Sequence, residues 1–103
     1  MAEWVKACAA DAVAPEDVIR FDQGERTFVI IRSEDDQYYC ADGLCTHEAV
    51  HLADGLVMGQ TIECPKHSAE FDYQTGQALR APACKNLKTY PTRVDAGSVY
   101  VEL

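Results

Sequence analysis

The chain has 103 residues, 48% hydrophobic and 25% charged, which excludes a disordered chain and allows one globular domain, residues 1–103, but not two with separate cores. A formal net charge of −8 argues against nucleic acid as a partner, because its phosphates would repel the chain. No stretch approaches the ~18 apolar residues of a membrane span, and the start Met1-Ala2-Glu3-Trp4-Val5-Lys6 lacks the basic residues and apolar run of a signal peptide, so a soluble cytoplasmic protein, complete as written, is expected.

In chain order the segments read as short strands separated by turns. Residues 3–8 alternate, and Ala14-Pro15-Glu16 turns the chain into a strand over 17–22. Gln23-Gly24-Glu25 reads as a hairpin turn leading into the β-branched run Arg26-Thr27-Phe28-Val29-Ile30-Ile31-Arg32. A turn over 33–36 leads to Tyr38-Tyr39-Cys40. Gly59-Gln60 joins strands over 56–58 and 61–63, and Thr75-Gly76 joins strands over 70–73 and 77–79. Residues 87–94 and 98–103 flank Asp95-Ala96-Gly97 as a C-terminal hairpin. No segment carries a sustained 3.6-residue period. The spacing therefore predicts an all-β fold, an antiparallel β-sandwich or barrel.

Five cysteines, Cys8, Cys40, Cys45, Cys64 and Cys84, form an odd set, and in a reducing compartment metal binding is a better reading than a disulfide framework. Two short stretches concentrate the chemistry: Cys45-Thr46-His47, then sixteen intervening residues, then Cys64-Pro65-Lys66-His67. A tetrahedral zinc ion would accept two thiolates and two imidazoles. Zinc fingers, however, keep cysteines in one half and histidines in the other, whereas here each half offers one of each. A binuclear 2Fe–2S centre explains the mixing: each loop sends its cysteine to one iron and its histidine to the other. Neutral imidazoles in place of two thiolates remove negative charge, which favours the reduced state over that of an all-cysteine cluster.

With Gly55 between the loops and Phe71-Asp72 after the second, the pattern resembles the Rieske proteins. More narrowly, it resembles the small Rieske ferredoxins of bacterial multicomponent, aromatic ring-hydroxylating oxygenases, from Trp4 through Tyr90-Pro91 to Val99-Tyr100-Val101. The resemblance implies a Rieske fold whose cluster-binding subdomain, about 43–81, is built by two loops. It implies one 2Fe–2S cluster held by Cys45, His47, Cys64 and His67, with the histidine-bound iron at an exposed tip. Oxidised iron would lower the pKa of those imidazoles and couple the potential to pH at the alkaline end. It further implies a monomeric electron carrier, not itself an enzyme, serving aromatic hydrocarbon catabolism between a flavin-containing ferredoxin reductase and a terminal oxygenase.

Departures within the resemblance refine it. Respiratory Rieske proteins bridge their loops with two further cysteines; Val50 and Lys66 stand at those positions and form no disulfide. Ala69 and Phe71 replace the Ser and Tyr hydroxyls that point at the cluster there, so the potential is expected low in the Rieske range of roughly −150 to +300 mV. Ser68 stands where many relatives have glycine, and Lys66 would stand at the tip. Arg80-Ala81-Pro82-Ala83-Cys84 resembles the proline-containing loop that covers the cluster, and Thr46 and Pro65 would shape the loops.

Other residues receive plainer readings. His51 is expected to be exposed and not a ligand, Cys40 a small buried hydrophobe, and Cys8 and Cys84 unpartnered. From Ser33 to Pro65 there is no Lys or Arg but there are Glu34, Asp35, Asp36, Asp42, Glu48, Asp54 and Glu63. They form either a solvated face or a steering surface for basic partners. Three rivals remain in view: the terminal oxygenase itself, the small Rieske-like subunit of a nitrite reductase, and a structural zinc module.

Overall fold

The apolar run Phe28-Val29-Ile30-Ile31 organises the fold, because all four side chains are fully buried although successive residues of a strand face opposite ways. A computed structural model describes residues 3–46, 50–66, 69–81 and 85–103. Among them the strands are β1 (Trp4–Ala9), β2 (Asp17–Gln23), β3 (Arg26–Arg32), β4 (Tyr38–Asp42), β5 (Leu56–Met58), β6 (Thr61–Glu63), β7 (Glu70–Asp72), β8 (Ala78–Arg80), β9 (Thr89–Tyr90), β10 (Thr92–Asp95) and β11 (Ser98–Glu102). They form three antiparallel sheets, ordered β1-β11-β10, β2-β3-β4-β9 and β5-β6-β7-β8, so the all-β expectation holds.

Strand β3 lies between two apolar cores. Phe28 and Ile30 pack with Val13, Cys40, Val99 and Val101 toward the β1-β11-β10 sheet. Val29 and Ile31 face the other way and join Leu52, Val57, Ile62 and Phe71 beneath the β5-β8 sheet. Burying each such side chain contributes about 1.5–3 kcal/mol. One strand thus welds the small sheet to the rest of the molecule.

The turns follow the expected residues. Gln23 pairs with Arg26 across Gly24-Glu25, Met58 pairs with Thr61 across Gly59-Gln60, and Asp95 pairs with Ser98 across Ala96-Gly97. Gly24, Gly59 and Gly97 all have positive φ, as two-residue hairpins of this kind require.

The expected single strand over 87–94 is instead two. Tyr90 pairs with Cys40 in one sheet, and Thr92 pairs with Val101 in another. Pro91 lies between them; with no N–H to give a ladder it marks the place where the chain leaves one sheet for the next. Its carbonyl accepts the Glu102 N–H at 2.9 Å. Two short 3-10 turns, Ala10–Ala12 and Leu52–Asp54, also add to the expected elements; three residues carry no readable period.

Replacing Ile30 by Ala, with its side chain fully buried, is expected to cost about 2–5 kcal/mol in denaturant unfolding followed by circular dichroism. The same truncation at the exposed Leu56 is expected to stay within about 0.5 kcal/mol.

Candidate metal centre

Cys45 follows β4 after the short link Gly43-Leu44, and Cys64 directly follows β6. Each opens a loop closed by its own backbone amide. The Cys45 N–H donates to the Val50 carbonyl at 3.0 Å, and the Cys64 N–H donates to the Ala69 carbonyl at 2.7 Å. Both closures join residue i to residue i+5, so the loops have the same span although the histidine stands second after one cysteine and third after the other. His47 and His67 fall inside these loops in sequence but lie outside the described residues, as do Glu48, Ser68, Pro82 and Cys84.

The two described members of the expected ligand set share one environment. Cys45 is 5% exposed and Cys64 1%, and both belong to the apolar core that holds Leu52, Phe71, Tyr73 and Leu87. Thiolates placed there need a cation to take up their charge. Soft sulfur donors in an apolar surround suit iron–sulfur chemistry, so the described residues fit such a group.

Several contacts fix the loops. The Thr46 hydroxyl donates to the Lys85 carbonyl at 2.8 Å, tying the first loop to the chain beyond the proline-containing segment, as its expected loop-shaping part requires. Leu44 and His51 form an antiparallel bridge just outside the first closure, and the Leu52 N–H donates to the Gly43 carbonyl at 2.7 Å. Gly55 is required by space: a Cβ there would lie 2.1 Å from the Glu63 carbonyl oxygen, one residue before Cys64. Its N–H donates to the Leu52 carbonyl at 2.9 Å.

Among the described residues, the neighbours at positions 69 and 71 bring no side-chain donor. Ala69 and Phe71 are fully buried beside the cysteines and carry no hydroxyl. Tyr73 is buried too, but its hydroxyl is committed to the Gly59 carbonyl on the β5-β6 turn. Val50 is half-buried and Lys66 exposed, and neither can form a bridging disulfide.

His51 differs from expectation. It is 9% exposed rather than solvated, because its ring packs against β3 and caps the 3-10 turn that follows the first loop. One ring nitrogen lies 2.7 Å from Thr27 Oγ1 and the other accepts the Ala53 N–H at 3.1 Å, so both are engaged away from any metal. Sequence reasoning missed Thr27 and Asp22 in this arrangement. The two-residue turn at Gly24-Glu25 sets Asp22 opposite Thr27 and could have revealed the pair.

Cys40 is buried as expected, and burial, then the nearby Asp42, pushes its thiol up to about 12. Burial also pushes the Cys8 thiol up, which makes it less reactive. The acidic run divides. Asp36 pairs with Arg32 at 2.9 Å, Asp35 accepts from Ser33, and Asp42 accepts the Tyr90 hydroxyl at 2.6 Å, all structural uses. Burial first, then that bond to Asp42, raises Tyr90 to about 12. Glu34 and Asp54 stand exposed and remain available as a surface charge.

Residues 3–91 match the Rieske [2Fe-2S] domain. The chain belongs to the Rieske family. Its cofactor is one Rieske 2Fe–2S cluster. It is 36% identical over 101 residues to the ferredoxin component of the naphthalene 1,2-dioxygenase system of Pseudomonas aeruginosa, covering 98% of this chain and 96% of that one. Among solved structures, the Sphingomonas yanoikuyae B1 ferredoxin superposes with a TM-score of 0.91 at 29% identity, covering 98% and 99% of the two chains. A chain of the complex between reduced oxygenase and oxidized ferredoxin in carbazole 1,9a-dioxygenase gives 0.88 at 32%, covering 95% and 91%. A nitrite reductase small subunit from Mycobacterium tuberculosis gives 0.87 at 19% identity, covering 100% and 96%, a likeness of fold alone.

Gly55→Ala tests the close approach of the first loop's exit to β6. The 2.1 Å contact with the Glu63 carbonyl cannot be relieved by a side-chain rotation. The variant is expected to lose about 1–3 kcal/mol of stability and part of its iron, read by thermal unfolding and metal analysis of the purified protein.

Proposed function

We propose that the chain is a one-electron carrier that takes electrons from a flavin-containing reductase and delivers them to the terminal oxygenase of a multicomponent dioxygenase. The reading is carried by one observation: the likeness to the naphthalene 1,2-dioxygenase ferredoxin component runs through 96% of that protein, at 36% identity. The chain is then an electron-transfer component rather than the enzyme, a cytoplasmic monomer working in aromatic hydrocarbon catabolism. Among the described residues, no helix is long and apolar enough to cross a membrane.

Cys45 and Cys64 are assigned to one iron, and His47 and His67 to the other, with residues 43–81 as the cluster-binding subdomain. The support is the shared environment of the two cysteines and the equal closure of their loops. When bound, the cluster takes up and releases single electrons, and the protein supplies ligands, potential and docking surface. Burial of Ala69 and Phe71, which offer no hydroxyl to sulfur, supports a potential near the lower end of roughly −150 to +300 mV. The exposed Leu44 beside Cys45 and the exposed Lys66 beyond Cys64 give the cluster end of the molecule contact groups for partners.

The purified protein is expected to be red-brown, with two irons and two sulfides per chain and an EPR signal only when reduced. His47→Ala or His67→Ala should lose or severely destabilise the cluster, whereas Cys40→Ala should retain it. Reduction by a flavin-containing reductase, with product formation by a ring-hydroxylating oxygenase that stops when the chain is omitted, would support the carrier role. One zinc per chain and no visible band would refute it.

A further inference from the structure

His51 stands outside the proposed ligand set, yet its ring lies at the base of the first loop with every hydrogen-bond direction fixed by chemistry. The Ala53 N–H can only donate, so His51 Nδ1, 3.1 Å away, carries no proton. The Asp22 carboxylate can only accept, so the Thr27 hydroxyl gives its single proton to Asp22 Oδ1 at 2.5 Å. Thr27 Oγ1 is then the acceptor at 2.7 Å from His51 Nε2, and the imidazole proton sits on Nε2. Arg20 Nε completes the line, 3.0 and 3.1 Å from the two Asp22 oxygens. The ring also fills the space over Gly43, where a Cβ would lie 2.6 Å from Nε2 and 2.9 Å from Cε1.

We propose that His51 is the positioning residue of the first cluster loop: as a neutral imidazole protonated on Nε2, it ties the turn that leaves the loop to β2 and β3, and so holds Cys45 in place for the cluster. The proposal rests on the reading of Cys45 and His47 as ligands. The bridge between Leu44 and His51 transmits the hold to the residue before Cys45. A second proton on the ring would occupy Nδ1 and abolish the bond from Ala53.

The charged groups facing the ring are Arg20 and Asp22 from β2 and Asp54 from its own turn; Thr27 of β3 is neutral. Burial first, and then Arg20, hold His51 below its ordinary 6.5 against the opposing pull of Asp22 and Asp54. With the folded pKa depressed, the unfolded chain binds the extra proton first. The stabilisation is therefore complete above the ordinary value and is lost as pH falls below it.

Two substitutions in the holoprotein separate the two ring bonds. His51→Gln reaches Thr27 but offers no acceptor to Ala53, and His51→Asn keeps an acceptor near the Nδ1 position but does not reach Thr27. The readout is cluster loss, followed as decay of visible absorbance under a chelator from neutral to mildly acidic pH. His51→Gln is expected to lose the cluster about tenfold faster at neutral pH, the effect of one unsatisfied buried donor. His51→Asn is expected to stay within about threefold of the unsubstituted protein and to lack the acceleration that the latter shows on acidification. Equal rates in all three, faster loss in His51→Asn than in His51→Gln, or an undiminished acid acceleration in both variants overturns the proposal.

Nitrogen-15 NMR of the histidine-labelled unsubstituted protein keeps the question open to test if a variant fails to fold. A proton on Nε2 of His51 is expected, and a proton on Nδ1 overturns the assignment. The two readings fail separately. A full cluster in His47→Ala would remove the ligand assignment without touching the tautomer, and the wrong tautomer would remove the positioning role without touching the ligands.

Discussion

The site depends on two backbone hydrogen bonds, from Cys45 to Val50 and from Cys64 to Ala69. A metal ligand is useful only if its donor atom is held still, and a loop closed at the ligand's own amide holds that atom with no help from side chains. The closures have equal span, so two different local patterns, one histidine nearer its cysteine than the other, are carried by loops of one size. The sheets supply the rest. Cys64 leaves β6, an inner strand of a four-stranded sheet whose buried face shares a core with β3, and Cys45 lies in that same core.

Polar contacts complete the first loop where apolar packing cannot. Thr46 ties its start to Lys85, His51 ties its end to Thr27, and Gly55 lets the following chain pass against the Glu63 carbonyl. None of these adds a charged group to the apolar core around the cysteines. Hydrogen bonds at the loop base thus set position, while the described neighbours Ala69 and Phe71 bring no hydroxyl to the cysteines. Much of the acidity is likewise structural, since Asp36, Asp35 and Asp42 each serve a neighbouring side chain.

How much of this was legible in the sequence varies with the range of the interaction. Hairpins announced themselves, because Gly24, Gly59 and Gly97 occupy positive-φ positions that few other residues accept. The family was legible in the mixed Cys/His pattern because ligand chemistry restricts residue type and spacing. The break at Pro91 was written in the sequence but overridden by the strand-like residues on either side. His51 was misread as exposed, since with four ligands already assigned nothing local gave its ring a buried role. Its burial follows from Thr27, 24 positions away, and from the room that Gly43 leaves, neither of which has a local signature.

Pulsed EPR of the reduced protein labelled with nitrogen-15 histidine tests the central claim most directly, because it counts imidazole nitrogens bound to iron. The account predicts two strongly coupled histidine nitrogens, unchanged in a His51 variant and reduced when His47 or His67 is replaced. A cluster with no coupled histidine nitrogen, or one whose coupling is lost with His51, would contradict it.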